Sequence, residues 1–199
     1  MRPIASLCVL VLLLLPAAPR AGEDAPSSTA GMLLVAEEQL ADANFDHTVV
    51  LMVHHDDDGA MGLVVNRRYG RAPLAELLRQ LGREPGKATG ETDIFYGGPV
   101  EPQIGFVIHG PGYTTPATRE VAAGLSMTAD PQAVADLAEG RLAGPAKLVL
   151  GYAGWGPGQL ESEIARKDWL VVPADPSLVL TGEVDEVWRY AFARRGIEL

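Results

Sequence analysis

Residues Thr48 to Val53 read Thr-Val-Val-Leu-Met-Val, an uncharged run of β-branched and long aliphatic side chains. A half-solvated strand would alternate apolar with polar residues. Apolar residues at consecutive positions mark a strand covered on both faces. His54 to Gly59, "HHDDDG", then reads as a turn, and Ala60 to Asn66 as the returning strand. A buried hairpin of this kind belongs in the middle of a sheet and restricts what the rest of the chain can build around it.

The segments that follow alternate irregularly between the two periodicities. Leu74, Leu77, Leu78 and Leu81 share one helical face, and Gly82 stops that helix; residues 83–92 read as a polar loop. "DIFY" is a short strand running into a Gly97-Gly98-Pro99 turn, and "IGFVIHG" and "GLSMTAD" are further strands. Asp130 is placed to cap a helix that opens at Pro131. "AKLVLGYAG" reads as a strand, "QLESEIARKD" as a helix, "WLVVPAD" as a strand, and Asp185 to Arg194 as a final amphipathic helix. This order predicts a single α+β domain with a large mixed or antiparallel β-sheet and flanking helices.

The first 21 residues have a different logic. Arg2 precedes an apolar run from Ile4 to Leu15, which breaks at Pro16 into small residues. That is the order of a secretory signal peptide, with cleavage expected after Ala21. The run is shorter than the roughly 20 residues a membrane-spanning helix needs, so no transmembrane span is expected in the mature chain. Residues 22–30 read as a disordered linker, and residues 31–199 as the domain. Cys8, the only cysteine, precedes most of the apolar run, so it is misplaced for lipidation and is lost on cleavage. The mature chain then has neither a disulfide nor a thiol nucleophile. The expected compartment is periplasmic or secreted; a translation start near Met32 would instead give a cytoplasmic protein.

The 199 residues carry a net charge of −10. Removing Arg2 and Arg20 from the 16 basic residues leaves 14 against 26 acidic ones, a net charge of −12. Direct nucleic-acid binding relies on lysine and arginine against phosphate, so this balance argues against it. Arg67-Arg68 and Arg194-Arg195 are short basic pairs that read as solvated.

The candidate chemistry is sparse. His54 and His55 are adjacent, so in extended backbone they face opposite ways and cannot share an ion, and the aspartates lack calcium-loop spacing. No metal and no cofactor are expected. His47 reads as structural. His109 closes an apolar strand beside Gly-Pro-Gly, which suits either a general base or, preferably, a core histidine held by a backbone carbonyl. No G-x-S-x-G accompanies it. "GYAGWGPGQLESE", Gly151 to Glu163, matches no phosphate-binding pattern and has no lysine; its two glutamates would repel an anion. Glu161 and Glu163 suit the helix start, and Arg166 and Lys167 its end. Glu161 working with a distant His109 is the remaining catalytic idea.

"GMLLVAEEQLADANFDHTVVLMVHHDDDGAMGLVVNR", "YGGPV", "GFVIHG" and "LGYAGWGPGQLESEIARKDWLVVPAD" occur in this order. Together they resemble the AlgH/YqgE family of bacterial proteins, over roughly residues 31–190. The resemblance implies a single α+β domain with a large sheet. The family takes its name from alginate regulation and is often labelled a transcriptional regulator, but it supplies no agreed catalytic residues. The positions that carry the motif are Asn66, Gly97, Gly98, Pro99, His109, Gly154, Trp155, Gln159 and Glu161. The leading expectation is an exported, non-enzymatic domain that binds a protein or small-molecule ligand. The alternatives are a hydrolase or transferase using His109 or Glu161, and a cytoplasmic regulator.

Overall fold

The computed structural model describes residues 28–40, 42 and 44–195. The expected signal peptide and its cleavage site lie outside them. The described chain folds as ten strands and five helices. The strands are β1 (Met32–Ala36), β2 (Val49–Asp56), β3 (Gly59–Val64), β4 (Arg68–Pro73), β5 (Glu91–Tyr96), β6 (Val100–His109), β7 (Thr118–Ala122), β8 (Leu125–Thr128), β9 (Ala146–Trp155) and β10 (Trp169–Pro173). The helices are α1 (Leu74–Gln80), α2 (Pro131–Ala138), α3 (Gln159–Ala165), α4 (Pro176–Thr181) and α5 (Val184–Phe192).

One sheet runs in the order β10-β1-β2-β3-β9-β6-β8-β7, antiparallel at every step. β5 joins β9 in parallel and carries β4 antiparallel on its outer side. The α+β class follows. Helices cover both faces, as the apolar run requires: each residue from Val49 to Val53 is at most 7% exposed. Val49, Leu51 and Val53 pack with Leu178, Val179, Val187 and Ala191 of α4 and α5. Val50 and Met52 point the other way, toward Leu160 of α3 and the indoles of Trp155 and Trp169. Further along that second face, α1 and α2 cover Val107 and Leu148.

Several boundaries differ from the sequence reading. The "HHDDDG" turn shrinks to Asp57 and Asp58, because β2 continues through His54, His55 and Asp56 past an irregularity after Met52. The reading of residues 22–30 as linker fails at its end: Thr29 is 1% exposed and bonded to His55, and Gly31 donates its N–H to Met52 O. β4, β7 and α4 are additional. β4 (Arg-Tyr-Gly-Arg-Ala-Pro) lacks an apolar face and is a strand because β5 pairs with it. α4 repeats the Asp-Pro start of α2, with Asp175 accepting from the N–H groups of Ser177 and Leu178.

β9 is the hub, and three glycines let it serve as one. Gly97 donates to Leu150 O at 2.8 Å, and its own carbonyl accepts from Val64 N at 2.9 Å. A Cβ on Gly97 would lie 2.2 Å from Gly151 O, and one on Gly98 2.1 Å from the carbonyl carbon of Tyr152. Gly151 has φ +72° and faces Gly98 O in return. This left-handed residue adds one position to the alternation of β9. Val149 and Tyr152, three apart, therefore both pack on the α4/α5 side, while Leu148, Ala153 and Trp155 face the other helices. Only glycine tolerates both the approach and the φ.

Lys147 on β9 is a buried cation, 5% exposed, with Nζ donating to Val65 O at 2.9 Å and standing 4.5 Å from the Phe95 ring centre. Burial, helped by nearby Arg68, pushes its ammonium down from 10.5 to about 8.

Two outcomes follow. Gly98→Ala forces a Cβ into the β9 backbone, and denaturant unfolding is expected to show a loss of about 3 kcal/mol or more. An unfolded lysine keeps its proton to about 10.5 and native Lys147 only to about 8, so the unfolded state binds more protons between those values. Stability therefore rises with pH across that window, by on the order of 3 kcal/mol in total, with the penalty complete below its lower end. Lys147→Met should flatten this rise.

Candidate functional site

The motif positions fall into three places. Asn66, Gly97, Gly98 and Pro99 belong to the frame. Asn66 Oδ1 accepts from Val49 N at 2.8 Å and Nδ2 donates to His47 O at 2.9 Å, tying the end of β3 to the start of β2. Pro99 is exposed and leads from the glycine contact into β6.

His109 is 1% exposed and fully engaged. Its Nδ1 lies 2.8 Å from Gly110 O and its Nε2 2.9 Å from Thr128 Oγ1. A carbonyl only accepts, so Nδ1 carries the proton and Nε2 takes one from the threonine hydroxyl. Thr128 in turn lies 2.7 Å from Thr118 Oγ1, which accepts from Thr115 N at 2.8 Å. The imidazole has no free nitrogen with which to take a substrate proton. Its strand residue pairs with Ala146 at the start of β9, whereas Glu161 follows the other end at Trp155. Nine strand steps of ~3.3 Å separate those ends by roughly 30 Å. The idea of His109 and Glu161 acting together is thereby overturned.

Gly154, Trp155, Gln159 and Glu161 converge where β9 turns into α3. Gly158, at φ +71°, opens the helix. Glu163, absent from the expected set, organises the corner: its Oε2 accepts from both Trp155 Nε1 and Trp169 Nε1 at 2.8 Å. Its Oε1 accepts from Gln159 Nε2 at 2.9 Å, and Gln159 Oε1 accepts from Gly156 N at 3.1 Å. The sequence held a signal for this, since buried indoles need an acceptor and Glu163 lies between two tryptophans. Phe45 completes an aromatic wall, 5.5 Å from Trp169 and 6.3 Å from Trp155 between ring centres. A cleft of ≈ 250 Å³ runs along the wall, with Glu163, Asp42, Asp168 and Arg166 on its polar side.

On the outer side of the same helix, Glu161 Oε1 lies 3.1 Å from His55 Nε2. His55 Nδ1 accepts from Thr29 N at 3.0 Å, so Nε2 is the protonated nitrogen and donates to Glu161. The reading of "HHDDDG" as a turn is corrected further here: the His55 side chain is 5% exposed and tethers the first described segment to α3. The hydrogen bond to its own backbone N–H holds the Glu161 carboxyl below its usual range, against burial and with help from His55.

Other depressions mark the described surface. Gly154 also borders a cleft of ≈ 410 Å³ holding His54, Asp56 and Tyr152, with His54 Nε2 2.9 Å from Asp56 Oδ2. No Ser, Thr or Cys lines that cleft. A larger groove of ≈ 640 Å³ lies between α1, α2 and the sheet, away from the motif, walled by Leu77, Ile94, Ile104, Val134 and Leu150 and floored by Gly105. Among the described residues no three His, Cys, Asp or Glu side chains are grouped to hold a metal ion.

These features define a single α+β domain on a glycine-braced sheet, with an aromatic and carboxylate corner where its motif ends. A family model described as DUF179, AlgH-like, matches residues 33–199, and the chain belongs to this AlgH-like family. A UPF0301 protein of Methylococcus capsulatus is 42% identical over 173 residues, covering 87% of this chain and 94% of the relative. A UPF0301 protein of Paracoccus denitrificans is 38% identical over 184 residues, covering 88% and 94%. The solution structure of the AlgH protein from Pseudomonas aeruginosa matches with TM-score 0.74 and 37% identity, over 89% of this chain and 94% of that one. An X-ray structure of a Corynebacterium diphtheriae protein matches with TM-score 0.65 and 26% identity, over 89% and 91%.

Glu163→Gln tests the corner. Keeping the amide oxygen on the two indoles turns its NH₂ toward Gln159 Nε2, donor against donor; flipping Gln159 would break its bond to Gly156. The expected cost is about 1–3 kcal/mol in denaturant unfolding, with a shift in tryptophan emission and a retained fold.

Proposed function

We propose that this protein is an exported, non-catalytic binding domain whose recognition site is the aromatic cleft beside α3. One observation carries the reading: the ionisable motif side chains His109 and Glu161, and Glu163 beside them in sequence, already have internal partners, while the cleft lined by Glu163 is open. His109 is held by Gly110 and Thr128, Glu161 by His55, and Glu163 by three neutral donors. Catalysis needs a base free to accept a proton and a nucleophile within its reach. Binding needs shape and contact surface, which exposed Gly154, half-buried Phe45 and the small accessible parts of Trp155 and Trp169 supply.

Export rests on the order of Arg2, the apolar run and the small residues before Gly22. The bonds from Thr29 to His55 favour a chain that extends upstream of Met32. N-terminal sequencing of the native protein from separated cell fractions tests this, with a periplasmic chain starting near Gly22 expected.

A second binding reading has its own support. The α1/α2 groove is larger and lined mainly by apolar side chains, as sites for apolar ligands commonly are. Amide and indole NMR shifts separate the two on titration with a small-molecule library. Changes centred on Gly154 and on the Trp155 and Trp169 indoles support the α3 site; changes centred on Gly105 and Ile104 support the groove. Any turnover in a substrate screen that His109→Ala abolishes would overturn the non-catalytic reading.

A further inference from the structure

Resting on the reading of the α3 cleft as the binding site, we infer that its ligand is a compact organic cation, an alkylammonium or guanidinium head group. The charge arrangement is the first reason. Glu163 is a half-buried carboxylate whose partners are all neutral, two indoles and an amide, and among the described residues no cation lies within ion-pair distance of it. A carboxylate drawn from water usually acquires a cation or loses its charge. Asp42 and Asp168 line the same cleft. Its one basic residue, Arg166, is held by Asp168 at 2.7 Å and does not reach Glu163.

The walls are the second reason. Phe45, Trp155 and Trp169 touch one another at 5.5–6.3 Å between ring centres, so they form a wall rather than a cage. Trp155 and Trp169 are 7% and 4% exposed, so half-buried Phe45 supplies most of the ring surface that a cation in the cleft would meet, with carboxylates on the other side. A metal ion is a poor alternative, because ligating Glu163 would displace its indole and amide donors, whereas a diffuse organic cation can sit beside the carboxylate without displacing them. An anion would meet Glu163 and Asp42, with Arg166 already held by Asp168. The size is the third reason: ≈ 250 Å³ admits a side-chain-sized group, below the 300–1,000 Å³ or so typical of drug-sized ligands. The net charge of −10 raises the local concentration of cations around the whole domain.

The test uses the mature protein at fixed ionic strength. Choline, Nα-acetyl-arginine amide and the uncharged choline isostere 3,3-dimethylbutanol are each titrated against sodium chloride, reading tryptophan emission and the indole N–H resonances. The two cations separate a free quaternary ammonium from an arginine side chain presented by a partner. Saturable shifts of the Trp155 and Trp169 indoles are expected with at least one cation and not with the isostere. Glu163→Gln should weaken that binding about tenfold, and Asp42→Asn, at an exposed position that leaves the indole bonds intact, by a smaller factor. Equal binding of the isostere, or no saturation by either cation, overturns the cation assignment. If a neutral or anionic ligand instead shifts the same indoles, the site stands and only its ligand class falls. If all shifts map to the α1/α2 groove, the site itself falls, and this inference with it.

Discussion

The backbone of Gly97 and Gly98 lies against that of Gly151 and Tyr152 more closely than any Cβ atom permits, and this contact sets how β9 can be used. Before it, β9 pairs with β5 and β6; beyond it, with β3, while Val100 of β6 still pairs with Tyr152. The extra residue at Gly151 turns Tyr152 to the α4/α5 side and carries Trp155 under α3. Without that inserted position the indole would point to the wrong face. The glycines of the two motifs are therefore one device: their absent side chains allow a single strand to serve three neighbours and deliver an aromatic residue to a defined corner.

Around that frame, the polar residues of the motif act mainly to hold parts together. Asn66 ties two strand ends, His109 closes a chain of threonine hydroxyls inside the core, and His55 links the first described residues to α3 through Glu161. A satisfied buried network rigidifies, but it leaves little free to transfer protons. Glu163 differs, since it organises two indoles and, among the described residues, has no cation within ion-pair distance. The corner beside α3 is thus well supported, and its carboxylate has only neutral partners among the described residues, which is why we propose it as a recognition site.

Much of this was legible in the sequence. The apolar run at Thr48–Val53 announced a strand covered on both faces, the Asp130-Pro131 pair gave the start of α2, and the resemblance to the family matched the fold. His109 turned out to be the core histidine that its apolar strand suggested. What escaped had physical causes. β4 has no apolar face of its own and owes its state to pairing with β5. His55 looked like part of a charged turn because local polarity hides a strand extension, and its burial depends on α3, 106 positions away. Thr29 sat in a stretch of small polar residues whose composition says nothing of a distant imidazole. Glu163 read as a helix-start charge, though the two flanking tryptophans, both needing an acceptor, pointed to it. Lys147 gave no warning at all: one lysine in an apolar strand reads as solvent-facing until the neighbours are known.

If the glycine contact is what the sheet depends on, the Gly97 amide, bonded to Leu150 O, and the Val64 amide, bonded to Gly97 O, should open only when the whole domain does. Native-state hydrogen exchange measured against denaturant concentration tests this most directly. The account predicts that both amides exchange with the free energy and denaturant dependence of global unfolding. Exchange of either one through a local opening, well below the global value and insensitive to denaturant, would contradict it.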